Sequence, residues 1–93
     1  MITYLALVHT DAPANYGISF PDLPGCISAG DTLDEAIDNG GEAAALHLEG
    51  LLEDGLSLPN PRSIHDLRRD AEVRQLMSDA IVVPVRVQEA EAA

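Results

Sequence analysis

The stretch YGISFPDLPGCISAGDTLDEA, Tyr16 to Ala36, decides how this chain folds. Tyr16–Phe20 has β-forming residues and reads as a strand. Pro21 and Pro24 restrict φ, and Gly25 accepts backbone angles that other residues avoid, so Pro21–Gly25 reads as a turn. Cys26–Gly30 is then a short further strand. Thr32 and Glu35 fit a capping box, with Thr32 as N-cap and Glu35 three residues on. Asp31, Asp34, Glu35 and Asp38 crowd the positive end of the helix that follows. The order is strand, turn, strand, cap, helix.

Working outward, Leu33, Ile37, Ala44, Leu48, Leu51 and Leu52 form an apolar stripe at helical spacing. Gly55 suits the position after the helix end, and Pro59 and Pro61 follow it, so the helix runs from about Leu33 to Asp54. Gly40 and Gly41 sit inside it. Each costs roughly 0.8–1 kcal/mol relative to Ala, a cost that close packing of the helix backbone on a sheet would offset. Upstream, ITYLALVH (Ile2–His9) is nearly continuous in apolar residues and reads as a strand covered on both faces. Asp11–Asn15 (DAPAN) is a turn that folds the Tyr16 strand back on the first. Downstream, Ser63–Asp70 and Ala71–Ser78 read as short helical turns, with Ser63 as an N-cap. Ala80–Val87 is a last strand, and Pro84 places it at a sheet edge. A single domain over residues 1–87 and a frayed polar tail over 88–93 follow.

The expected fold class is α+β, with element order β-β-β-α-β. A right-handed crossover setting the last strand parallel to the first gives the sheet order 3-2-1-4. One main helix covers one face of that sheet. The other face then exposes part of Tyr4, Leu5, Leu7, Ile81 and Val83. Such a patch points to an interface, and Leu5, Leu7, Ile81 and Val83 are the residues expected to form it in a homo-oligomer.

Composition narrows function. The 93 residues include 16 acids and five basic residues, for a net charge of −11. Lysine is absent; the basic residues are Arg62, Arg68, Arg69, Arg74 and Arg86. That field repels phosphate backbones and attracts cationic partners. Arg62, Arg68, Arg69 and Arg74 are interleaved with Asp66, Asp70 and Glu72, the pattern of a salt-bridged surface. Cys26 is alone, which excludes an internal disulfide and a cysteine zinc site, and it reads as a small buried hydrophobe. His9, His47 and His65 fall on different elements with no metal-ligand spacing, so neither metal nor cofactor is expected. Two-metal nuclease chemistry needs an acid on the first strand, and Ile2–Thr10 has none. A degenerate metal-dependent nuclease using Asp22, Asp31 or Glu35 stays as an alternative. The N-terminus lacks a basic leader and no stretch approaches the length of a membrane span, so the expected location is the cytoplasm, with no membrane contact.

The runs F-P-D-L-P-G-C (Phe20–Cys26), S-A-G-D-T-L-D-E-A (Ser28–Ala36) and G-L-S-L-P-N-P (Gly55–Pro61) together resemble the signature of the HicB family, the antitoxin half of HicAB toxin–antitoxin pairs. The match spans Tyr16–Pro61, and the flanking strands fit it. The resemblance implies a partial ribonuclease-H-like fold without nuclease activity and a homodimer or homotetramer. It also implies a function: binding and neutralising a small basic HicA-like toxin that cleaves messenger RNA. Many family members carry a C-terminal DNA-binding module. Only QEAEAA follows Val87, so a short form without direct DNA binding is expected. An orphan regulatory or ligand-sensing module is the other alternative. The acids expected to contact a cationic partner are Asp22, Asp31, Asp34, Glu35 and Asp38. Asp22 could instead fix its turn, and Glu35 could serve the cap.

Overall fold

The computed structural model describes residues 1–12 and 15–88. Four strands, β1 (Ile2–Ala12), β2 (Asn15–Ser19), β3 (Ile27–Gly30) and β4 (Ala80–Val87), form one sheet in the order β3-β2-β1-β4. The helices are α1 (Leu33–Glu53), α2 (Ile64–Arg69) and α3 (Ala71–Met77). The expected sheet order and the edge position of the Pro84 strand are both present. Of the expected Asp11–Asn15 turn, Asp11 and Ala12 belong to β1 and Asn15 to β2; its middle and the tail beyond Gln88 lie outside the described residues.

The direction of β4 corrects the expectation. Ile2 pairs with Val87 and His9 with Ala80, so β4 runs antiparallel to β1, as do all neighbours in this sheet. A lone crossover helix would have returned the chain for a parallel fourth strand. Here α1 returns it to the start of β1, where the Tyr4 hydroxyl donates to the Pro59 carbonyl at 2.6 Å. Residues 56–79, with α2 and α3, then cross the molecule once more. That added traverse reverses β4.

The same traverse covers the second face of the sheet. Tyr4, Ala6 and Val8 alternate onto the α1 side and form the main core with Ile18, Phe20, Leu23, Cys26, Ala44, Leu48, Val85 and Val87. Leu7 points to the other side and is nonetheless fully buried, as are Leu67 of α2 and, nearly so, Val73 of α3. Val73 and Leu76 line one cavity with Leu7 and Ser19, so α3 lies over this part of the second face.

The long helix begins and ends by local chemistry. The Thr32 hydroxyl accepts from the Glu35 amide at 3.1 Å. At the far end the Gly55 amide bonds Leu52 and the Leu56 amide bonds Leu51, a Schellman pair that needs the φ of +76° at Gly55. Gly40 marks a close approach of α1 to β2. A Cβ there would stand 2.9 Å from Ile18 Cδ1 and 3.0 Å from Cγ2. At the β3–α1 junction the Asn39 side-chain amide donates to the Ala29 carbonyl at 2.9 Å.

Candidate partner-binding surface

Four of the five acids expected to meet a partner are exposed around the first turns of α1: Asp31, Asp34, Glu35 and Asp38. Asp34, Asp38 and Glu42 recur at four-residue intervals, so they form an acidic ridge along one side of the helix. Glu42 was not among the expected residues; the four-residue repeat is the signal that points to it.

Asp22 has a different role. Its side chain is 6% exposed and holds Arg62 at two points. Oδ1 accepts from Arg62 Nε at 2.6 Å, and Oδ2 accepts from the Arg62 backbone amide at 2.7 Å. Arg62 Nη1 donates to Asp70 Oδ2 at 3.0 Å. The other Asp70 oxygen caps α3, accepting from the Glu72 and Val73 amides at 3.1 and 3.3 Å. The three residues thus tie the Pro21–Gly25 turn, the loop before α2 and the start of α3 into one unit. The hydrogen bonds that Arg62 donates to Asp22 and Asp70 raise its pKa, and the bond from Arg62 holds the Asp70 carboxyl below its ordinary value. Asp22 is an internal strut, not a free acid for a partner. The salt-bridged surface expected for the arginine segment is real at Arg62, but its principal partner lies 40 residues upstream.

The expected oligomer interface does not form one patch. Leu5 and Leu7 project from one face of the sheet; Ile81 and Val83, paired with Val8 and Ala6, project from the other. Leu7 is enclosed by its own chain, and Val83 packs on the main core. Tyr4, also expected to be partly exposed, is fully buried in that core. Ile81 is 47% exposed and Leu5 is half-buried.

Cys26 is buried, and burial pushes its thiol pKa up, away from a reactive thiolate. His9, His47 and His65 sit on β1, α1 and α2. Among the described residues no group of three or more His, Cys, Asp or Glu side chains is placed to hold a metal ion. Among them no helix is long and apolar enough to cross a membrane.

A second feature adjoins the acidic ridge. A groove of about 550 Å³ runs between α1 and β4, with Asp38 and Glu42 along its helix wall and Pro84, Val85 and Arg86 along its strand wall. Sequence spacing alone gave no sign of it, because its strand wall is supplied by residues at least 39 positions further along the chain.

Comparison with known proteins places these features in context. Residues 4–92 match the model of the HicB_like antitoxin of bacterial toxin–antitoxin systems. An uncharacterized 14.9 kDa protein of Haemophilus phage HP1 is 43% identical over 68 residues, covering 73% of this chain and 51% of the phage protein. The chain therefore spans about half the length of that relative. The crystal structure of the N-terminal domain of Burkholderia pseudomallei antitoxin HicB superposes with a TM-score of 0.77 at 32% identity, over 94% of this chain and 99% of that one. A chain of the HicA3 and HicB3 toxin–antitoxin complex superposes with a TM-score of 0.71 at 27% identity, again over 94% and 99%.

Proposed function

This chain belongs to the HicB-like antitoxin family, and from that premise we propose that it binds and neutralises a small basic HicA-like toxin that cleaves messenger RNA. The likeness to a chain of a HicA3–HicB3 complex carries the reading. Physical chemistry supports it. A net charge of −11 draws in a cationic ribonuclease, and carboxylates can occupy the surface where that protein would hold phosphates. Neutralisation then requires occupancy and no turnover by the antitoxin.

The acids proposed to make the contact are Asp31, Asp34, Glu35 and Asp38, all exposed. Asp22 is left out because Arg62 already occupies both of its oxygens. The working assembly is proposed to be a homodimer or homotetramer bearing toxin.

The first test is whether an adjacent reading frame encodes a small basic protein; that product, inactivated for purification, is then titrated calorimetrically with this chain. Tight binding and restored RNA integrity in an assay with active toxin are expected. Asp31→Lys/Asp34→Lys/Asp38→Lys, with its fold checked by circular dichroism, is expected to bind at least tenfold more weakly. Equal affinity at low salt overturns the acidic contact; RNA cleavage unaffected by the wild-type chain overturns the antitoxin reading.

A further inference from the structure

Gly40 and Gly41 are adjacent in α1, yet only Gly40 has a steric reason inside the chain. A Cβ at Gly41 would meet Val85 Cγ1 at 3.7 Å, an ordinary van der Waals distance. An alanine fits there, and glycine inside a helix is unfavourable relative to alanine. Gly41 is partly exposed and lines the groove between α1 and β4.

The walls indicate what the groove can take. Ile37, Gly41 and Ala45 line it from α1 at four-residue spacing, a ridge with a notch at its centre. Asp38 and Glu42 run beside that ridge. On the other wall Pro84 has no amide hydrogen to offer, which disfavours extension of the sheet by an added strand. A small-residue notch lets another helix approach closely, and the acidic flank selects its charge. Arg86 stands on the β4 wall, so the cationic side of an occupant must face α1.

We propose that the groove between α1 and β4 is the docking site for an amphipathic helix of the protein partner, seated at Gly41, with Lys or Arg side chains on Asp38 and Glu42. The proposal rests on the antitoxin reading and names the surface by which it operates. Gly41 keeps the notch open at the expense of helix propensity, and the acids give the site its sign.

The experiment measures affinity for the inactivated basic protein of the adjacent reading frame, alongside the thermal midpoint of each free chain. Gly41→Ala is expected to raise the midpoint and yet weaken binding, a combination that a purely structural glycine does not give. Gly41→Leu, filling the notch, is expected to weaken binding at least tenfold. Asp38→Lys/Glu42→Lys is expected to do the same. The charge-matched Glu49→Lys/Glu53→Lys, further along α1, is expected to stay within threefold of wild type. If the wild-type chain binds but the Gly41 and Asp38/Glu42 variants bind equally well, the groove is overturned and the antitoxin reading stands. Equal weakening by both charge pairs overturns the local site in favour of a general field. No binding by the wild-type chain overturns the antitoxin reading and the groove together.

Discussion

At the scale of single residues, the Asp22–Arg62–Asp70 unit concentrates the strongest polar interactions described in the chain. Asp22 is nearly enclosed, so its bonds to Arg62 are shielded from competing water. Asp22→Ala removes two bonds to a charged acceptor and leaves Arg62 with Asp70 alone; hydrogen bonds to charged groups contribute about 1.5–3 kcal/mol. A loss of that order in urea-unfolding free energy is expected, with Asp22→Asn losing less. Asp70 adds a pH dependence. Its carboxyl is held below its ordinary value by the bond from Arg62 and by the Val73 and Glu72 amides. The unfolded chain therefore takes up that proton first as the pH falls. The contribution is complete above the unfolded value, about 3.9, and fades as the pH drops through the lower folded value. Asp70→Asn keeps an N-cap but loses the charge pair, so its stability difference from wild type should shrink between pH 5 and the acid limit, read from urea midpoints. The roles of these residues were only half legible in the sequence. The Pro21–Gly25 turn announced itself locally, but the strut depends on a partner 40 residues away, and no local pattern encodes that pairing.

At the scale of elements, α1 was the most legible part of the chain. Its cap residue, its apolar stripe and its Gly55 terminus are local signals, and the observed helix ends one residue short of the expected Asp54. The paired glycines were legible only in part. Sequence alone assigns both the same cost, whereas contact with the sheet separates them. Gly40 lies against Ile18, a buried side chain whose Cγ2 is fixed by its branched Cβ. Overpacking costs about 1–3 kcal/mol, against a helix-propensity gain of about 1 kcal/mol. Gly40→Ala is therefore expected to be destabilising by about 1 kcal/mol. Gly41→Ala has the same gain without the clash and should stabilise by up to about 1 kcal/mol. Chemical denaturation of the two variants side by side checks the pair. Equal effects would mean that Ile18 yields to the new methyl and that the helix does not seat as closely as described.

At the scale of the whole molecule, two properties remain to be joined: the path of the chain and its charge. Strand number, order and edges followed from local patterning, but the direction of β4 did not. That direction depends on how many times the chain crosses between α1 and β4, and two short helices with little periodicity gave no measure of that crossing. The same two helices bury Leu7, whereas Tyr4, Ile81 and Val83 leave the expected apolar patch because strand alternation and register set them on the α1 side. Charge acts on the whole molecule at once. The chain measures 42 × 30 × 19 Å and has a net charge of −11, so at about 0.01 M salt, where the Debye length is about 30 Å, most of its acids repel one another. At about 0.15 M the length falls to about 8 Å and this repulsion is confined to near neighbours. Arg62 and Asp22 are shielded enough to lose little over that range. The free chain should therefore become more stable as salt is added, with a higher thermal midpoint. The proposed capture of a cationic toxin should respond with the opposite sign, its association rate falling steeply over the same range. Opposite slopes in melting and stopped-flow titrations across one salt series would assign both effects to the same field. A midpoint that falls with salt would show instead that local ion pairs outweigh the net charge in holding this fold together.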